Sequence, residues 1–256
     1  MTYHSSVGHA EEWEYLEMLS QVRRVMGDPV VVVPPLTTTG TSVDDYSGNA
    51  RTLTATESVA GWLDHSTRGY MYVLDGTADY MYRADDAGLT FGNGSSDSAF
   101  SVMVVMYPTS VASYNVLVSK ADVTLYKEWA LIKNEDDILF AVYDDVEGSQ
   151  LARSKTSVFS ADTWYSVIAT YDGSGASTGI NVYVDGVKVD DTDSSSGSYT
   201  AMGDTAAKFV VGARMNNDVA DSFFPGKIGM VCVTAGEISS VGAGNLDKIV
   251  KGFYGV

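Results

Sequence analysis

The sequence holds a single cysteine, Cys232, so no disulfide can form within the chain and its stability must come from packing, hydrogen bonds or assembly. Histidine is almost as scarce. His4, His9 and His65 form no His-x-x-x-His pair, which leaves a zinc site or a histidine-based triad without its parts. Positive charge is short too: 16 Lys+Arg stand against 33 Asp+Glu, a net charge of −17. A nucleic-acid binder needs a basic stripe to displace counterions, so that class is excluded, and anionic membrane surfaces are disfavoured for the same reason. The longest apolar run, residues 30–36, is far too short to cross a bilayer and contains two prolines, so no membrane insertion is expected. Residues 1–27 carry glutamates where an export signal would be uniformly apolar, and the chain is therefore expected to start as a cytoplasmic product.

What is present points to strands. Valine outnumbers leucine 33 to 13, and 16 tyrosines and 25 glycines favour extended segments joined by tight turns. With 45% hydrophobic residues the chain can bury a large core, which rules out disorder as a whole. One helix comes first. Over residues 8–26, Tyr15, Met18, Leu19, Val22, Val25 and Met26 recur at helical spacing, with Trp13 and Leu16 on the flank. Glutamates precede Arg23 and Arg24 as the macrodipole prefers, and Gly27-Asp28-Pro29 ends the run. This stripe is expected to dock on a core or a partner, or to bundle copies into a homo-oligomer, so residues 1–35 are read as a docking or oligomerisation segment and residues 36–256 as the main domain.

Period-two alternation follows. Phe100, Val102, Val104 and Met106 oppose Ser101, Met103, Val105 and Tyr107, and Asp185-Gly186 turns strand 180–184 into 187–189. Further strands are expected at 30–33, 70–74, 80–82, 116–119, 129–133, 138–143, 164–171, 208–212 and 227–234, with a surface loop at 190–204 and a short closing helix at 245–253. The fold class is all-β, a two-sheet antiparallel sandwich with a helix near each end.

Motifs follow in an order that carries a resemblance: Asp45-Tyr46-Ser47-Gly48-Asn49; Leu74-Asp75-Gly76 with Asp79-Tyr80; Thr163-Trp164-Tyr165-Ser166-Val167 with Thr170-Tyr171-Asp172-Gly173; Val182-Tyr183-Val184-Asp185-Gly186-Val187; Val211-Gly212-Ala213; and Phe224-Pro225-Gly226-Lys227-Ile228-Gly229. Residues 36–256 resemble the laminin-G-like jelly rolls of the concanavalin A-like lectin and glucanase superfamily. The resemblance implies a jelly roll but does not choose among lectins, glycosidases, adhesion modules and virion proteins. It also implies a structural Ca2+ near the Asp-x-Ser-Gly-Asn turn, with Asp45 and Asn49 as the candidate metal residues. That site is weakened because Gly229 and Met230 stand where many members carry an acidic ligand. The alternative is an Asx-type turn in which Asp45 bonds its own backbone.

The glucanases of the superfamily place Glu-x-Asp-x-Glu on one strand so that two carboxyls share a groove. No such triplet occurs; Asp145-x-Glu147 and Glu135-Asp136-Asp137 sit beside turns and read as solvated acids, so no catalytic residue is assigned. Glycan or partner contact needs exposed aromatic faces, for which Tyr80, Tyr82, Tyr126, Trp129, Tyr199, Phe223 and Phe224 are candidates, each able instead to belong to the core. Phe223-Phe224 beside Asp221 and Arg214 reads as a sticky loop or, more simply, as packing. An adhesion-type jelly roll made in a cytoplasm is what a virion component would be. The expected role is therefore a non-enzymatic virion structural protein, a capsid decoration or a fibre subunit, whose partners are other virion proteins and a cell-surface glycan. A freestanding lectin and a hydrolase are the alternatives.

Overall fold

The computed structural model describes residues 9–36, 40–57, 63–66, 69–144 and 149–255 and, within these, the backbone alone at 9–12, 63–66 and 69–70. Two antiparallel sheets face each other. The first contains β1 (Pro29–Val33), β4 (Leu63–Ser66), β5 (Gly69–Asp75), β7 (Phe100–Pro108), β12 (Tyr165–Tyr171), β13 (Ile180–Val184), β14 (Val187–Lys188) and β19 (Pro225–Ala235), in the order β14-β13-β12-β7-β19-β5-β4 with β1 also on β19. The second runs β15 (Thr192–Asp193), β11 (Gln150–Lys155), β10 (Asp137–Tyr143), β9 (Tyr126–Asn134), β8 (Tyr114–Asp122), β16 (Phe209–Val211), β6 (Met81–Arg83), β3 (Leu53–Ala55) and β2 (Ser42–Val43). A hairpin of β17 (Arg214–Asn216) and β18 (Val219–Asp221) is attached to β8. The sandwich is the one the alternating patterns predict.

Between the sheets lies an aromatic core. Phe100 stacks on Phe91 with centroids 4.2 Å apart, and Trp129, Phe140, Phe209 and Tyr171 close around them. Trp129 is fully buried, and its indole N–H donates to the Leu89 carbonyl at 3.1 Å, which settles the ring's one polar atom inside the core.

The first sheet is covered on its other face as well. Helix α1 (His9–Met26) and helix α2 (Ser240–Tyr254) lie side by side on it. Tyr15, Met18, Leu19, Val22 and Met26 of α1 join Leu246, Val250 and Tyr254 of α2 and Met103, Val105, Met230 and Cys232 of the sheet in a second buried layer. This explains why both alternating rows of β7 are apolar: one faces the sandwich core and the other faces the helices. Cys232 is a buried member of this layer, and burial pushes its thiol well above its ordinary range.

The segment read as a docking unit is thus built into the domain. β1 pairs with β19, from Pro29 opposite Thr234 to Val33 opposite Val231. The stripe expected to dock on a core or a partner, or to bundle copies, is buried by the chain's own sheet through Tyr15, Met18, Leu19, Val22 and Met26, with Val25 packed against the same layer. Trp13 points out, 73% exposed. Ser239 caps α2 by accepting the Gly242 N–H, and Gly255 ends it in the left-handed region. No helix among the described residues is long and apolar enough to cross a membrane.

Candidate functional site

The second sheet keeps part of its outer face open, and three of the seven candidate aromatic residues gather there. In β6, Met81 points into the core and Tyr82, its neighbour, points out, opposite the outward-facing Val210 of β16. Tyr80, just before β6, and Phe223, just after β18, complete a cluster in which Tyr80 lies 5.8 Å from Tyr82 and 6.0 Å from Phe223 between ring centroids. All three are half-buried over Val210, Ala213 and Met215. Burial raises the phenol of Tyr80 above its ordinary range, helped by the neighbouring Tyr82.

The β17–β18 hairpin supplies the polar half. Asn217 and Asp218 at its tip both have positive φ, the backbone of a tight hairpin turn. The Asp122 carboxylate holds this tip, accepting the Asn217 N–H at 2.9 Å and the Asp218 N–H at 2.7 Å. Burial alone would raise the Asp122 pKa, but these amides and that of Thr124 override it and keep it low. Within the hairpin, Arg214 Nε donates to Asp221 Oδ1 at 2.6 Å and Asn216 Nδ2 donates to Asp221 Oδ2 at 3.1 Å. The Arg214 guanidinium lies 5.1 Å from the ring centroid of Tyr114, and Lys208, paired with Asp218, lies 5.7 Å from that of Tyr82. The surface therefore offers ring faces for stacking with the Lys208–Asp218 ion pair at their edge, and the hairpin carries a second set of planar donors and acceptors fixed in place by one another.

The other four aromatic candidates lie elsewhere. Trp129 and Phe224 point into the sandwich core with no exposed surface, which withdraws both as contact residues. In each case alternation decides, because Trp129 shares its strand face with Leu131 and Phe224 follows an outward Phe223. Tyr126 starts β9, 41% exposed and apart from the cluster. Tyr199 donates to Asp97 Oδ2 at 2.6 Å, the oxygen that also accepts from Tyr171 at 2.7 Å, so it ties the 190–204 segment to the core. That segment is anchored at both ends, since Asp190 and Met202 are buried. Tyr114, Asn216, Lys208 and Asp218 were not among the sequence candidates. Asn217-Asp218 between two short alternating runs was the signal that could have exposed the hairpin.

A profile of the laminin G type, described as Laminin_G_3: Concanavalin A-like lectin/glucanases superfamily, matches residues 75–240. The chain belongs to this superfamily. No curated protein sequence matches it. Among solved structures, the botulinum neurotoxin serotype D binding domain superposes with a TM-score of 0.60 at 10% identity, over 89% of this chain and 52% of that one. The binding domain of Paraclostridial Mosquitocidal Protein 1 gives 0.60 at 11%, over 88% and 52%. Domain 4 of AbnA, a GH43 extracellular arabinanase from Geobacillus stearothermophilus in complex with arabinotriose, gives 0.55 at 17%, over 86% and 98%. The chain thus spans about half the length of the toxin domains. At these identities the likeness shows the fold.

The superfamily's calcium does not fit the residues present. Asp45 Oδ1 accepts the N–H groups of Val32 and Ser47, and Oδ2 accepts the Ser47 hydroxyl and the Arg51 N–H, all within 2.9 Å, so its lone pairs are taken by donors. Asn49 points its amide nitrogen, not its oxygen, at the carbonyls of Pro29 and Val30. This is the Asx-type turn of the alternative reading. Gly229 is equally closed to a ligand: its carbonyl accepts the hydroxyls of Tyr15 at 3.0 Å and Tyr254 at 2.6 Å. Among the described residues no group of three or more His, Cys, Asp or Glu converges.

Among the described residues the acids of the superfamily's glycosidases have no counterpart on the open face. Asp221 is held ionised, its pKa lowered against burial by Arg214, Ser222 and Asn216. Glu128 is the carboxyl that burial raises, but it is wholly buried against Lys120, 2.5 Å away, and Thr205. Asp145 and Glu147 lie outside the described residues.

Proposed function

We propose that this chain is a non-catalytic carbohydrate-binding module whose contact surface is the outer face of the second sheet around Tyr80, Tyr82 and Phe223, bordered by Arg214, Asn216 and Asp221. The observation that carries this reading is a cluster of three half-buried rings with the Lys208–Asp218 ion pair at its edge and the fixed Arg214–Asp221–Asn216 network on the same hairpin. A sugar ring has apolar C–H faces and a rim of hydroxyls, and such a surface answers both. The relatives support it. The arabinanase domain is known in complex with arabinotriose, and the toxin domains are binding domains. In the same reading the ion-paired acids of the face, Asp221 and Asp218, serve as hydrogen-bond acceptors and not as acid catalysts.

Attachment of residues 1–35 to a larger particle, the role expected from the sequence, drew on an apolar stripe that the chain itself covers. The proposal therefore rests on ligand binding. Affinity electrophoresis against a panel of soluble polysaccharides, arabinan among them, tests it. Retardation by at least one glycan is expected, with about two- to tenfold weaker binding in Tyr82→Ala or Phe223→Ala, since one ring face contributes roughly 0.5–1.5 kcal/mol. Retardation by none of the panel, or unchanged retardation in the Tyr80→Ala/Tyr82→Ala pair, would overturn it.

A further inference from the structure

The turn at residues 45–51 gathers oxygen. The carbonyls of Pro29, Val30, Tyr46 and Ser47 and the Asp45 carboxylate all point into or along it, a concentration of negative ends that elsewhere invites a cation. Here every one of them meets a donor from the chain. Three donors converge on the Val30 carbonyl alone: Arg51 Nη1 at 2.9 Å, Asn49 Nδ2 at 3.0 Å and Ser47 Oγ at 3.1 Å. From the other side, Arg23 of α1 donates to the carbonyls of Ser47 at 2.8 Å and Tyr46 at 3.3 Å.

Arg51 is also held from behind. Its Nε lies 3.2 Å from Asp86 Oδ1, and the second oxygen of Asp86 is paired with Arg83 at 2.9 Å. Gly88 gives it room. A Cβ at that position would lie 1.8 Å from Arg51 Nη2 and 2.6 Å from its Cζ, so a side chain there would force the guanidinium to shift from its place. An open hollow of about 460 Å³, lined by Asp28, Asn49, Arg51 and Gly88 among others, lies beside the turn.

We infer that this turn carries its cation within the chain: Arg51, admitted by Gly88 and braced by Asp86, supplies the fixed positive charge that closes it, with Arg23 securing its outer carbonyls. The fold then needs no divalent metal at this edge, and the helix α1 is stapled to the turn through Arg23. A guanidinium suits the task because it is always charged and presents donors in a fixed fork.

The test is thermal unfolding of the whole chain in calcium, in magnesium and in chelator. The wild-type Tm is expected to be the same in all three. Arg51→Gln is expected to lower it by roughly 4–8 °C, and Gly88→Ala to lower it comparably by displacing Arg51 while keeping its charge. A saturable rise of the wild-type Tm in calcium but not magnesium overturns the inference. So does an Arg51→Gln protein that melts with the wild type. Should Arg51→Gln fail to accumulate as folded protein, Gly88→Ala decides alone: an unchanged Tm there sinks the proposal, and a lowered one upholds it.

Discussion

Placing a side chain at Gly229 tests how the helices are held to the first sheet. The strand register shifts between Ile228 and Met230, and Gly229 sits in that irregularity beneath Tyr254. A Cβ there would lie 2.8 Å from both Cζ and Oη of Tyr254 and 3.1 Å from Cε2. The ring has little room to retreat. It stacks on Trp164 at 5.8 Å and 7°, and it meets Phe253 edge-on at 5.1 Å. Its hydroxyl and that of Tyr15 both donate to the Gly229 carbonyl, with the two oxygens 2.5 Å apart.

Gly229→Ala must therefore both overpack the layer, at about 1–3 kcal/mol, and weaken buried hydrogen bonds at about 0.5–1.5 kcal/mol each. The sum is about 2–4 kcal/mol, a fall in Tm of roughly 5–15 °C. Urea melts followed by tryptophan fluorescence and far-ultraviolet circular dichroism measure it. Tyr254→Phe alone should cost about 1–1.5 kcal/mol. In the double variant the costs should sum to less than the two singles, by about 1 kcal/mol, because the offending hydroxyl is gone. Gly229→Asp should be worse than Gly229→Ala and should gain nothing from calcium. A Gly229→Ala protein within about 0.5 kcal/mol of wild type, or strictly additive costs in the cycle, would refute the clamp.

The same two tyrosines give a pH dependence. Burial first, then each other's proximity, hold the Tyr15 phenol well above its ordinary 10.0, and Tyr254 is raised likewise by burial. The unfolded chain ionises near 10 while the folded one does not, so stability should be flat below about pH 10 and fall as pH rises beyond it; urea midpoints that stay level to pH 11.5 would contradict this. Asp122→Ala should release the β17–β18 hairpin and weaken glycan retardation several-fold without touching the ligand; unaltered binding would mean the hairpin is held by packing alone. Trp129→Ala should cost about 3–5 kcal/mol in a urea melt, and Trp129→Phe should leave glycan retardation unchanged; lost retardation in the folded Phe variant would return Trp129 to the binding surface.

Strands whose two faces have separate fates were legible from alternation. The Asp185-Gly186 hairpin, with Val184 opposite Val187, and the two apolar rows of β7 are examples. Tyr82 and Trp129 were harder to separate. Around Trp129 the run Trp-Ala-Leu-Ile is apolar on both faces, because Ala130 and Ile132 pack in an outer cluster with Leu139 and Tyr143 while Trp129 and Leu131 face inward. A strand buried on both sides gives no parity signal, so the choice of face fell to tertiary packing. Short edge strands such as β2, β15 and β18 were missed for another reason. Two or three residues of polar sequence carry no period, and their pairing is set by neighbours distant in the chain. The helical stripe was read correctly as apolar, yet sequence could not say that the surface it covers belongs to the same chain.

That last point bears on where a ligand can bind. A sandwich has two outer faces, and in a symmetrical one either could serve. Here α1 and α2 close much of the first, locked by Tyr15 and Tyr254 on Gly229 and by Thr234 Oγ1 on the Met26 carbonyl at 2.8 Å. Among the described residues the second sheet receives no α-helix; a hairpin covers part of it, leaving half-buried rings beside the Lys208–Asp218 pair. Side chains that cannot bury fully and are not needed for the core persist there as a surface with both apolar and polar character. The helix stripe and the aromatic face are then two outcomes of one asymmetry. Adding apolar area to the first sheet's outer face should stabilise the fold without altering binding, whereas polar substitution on the second should do the reverse.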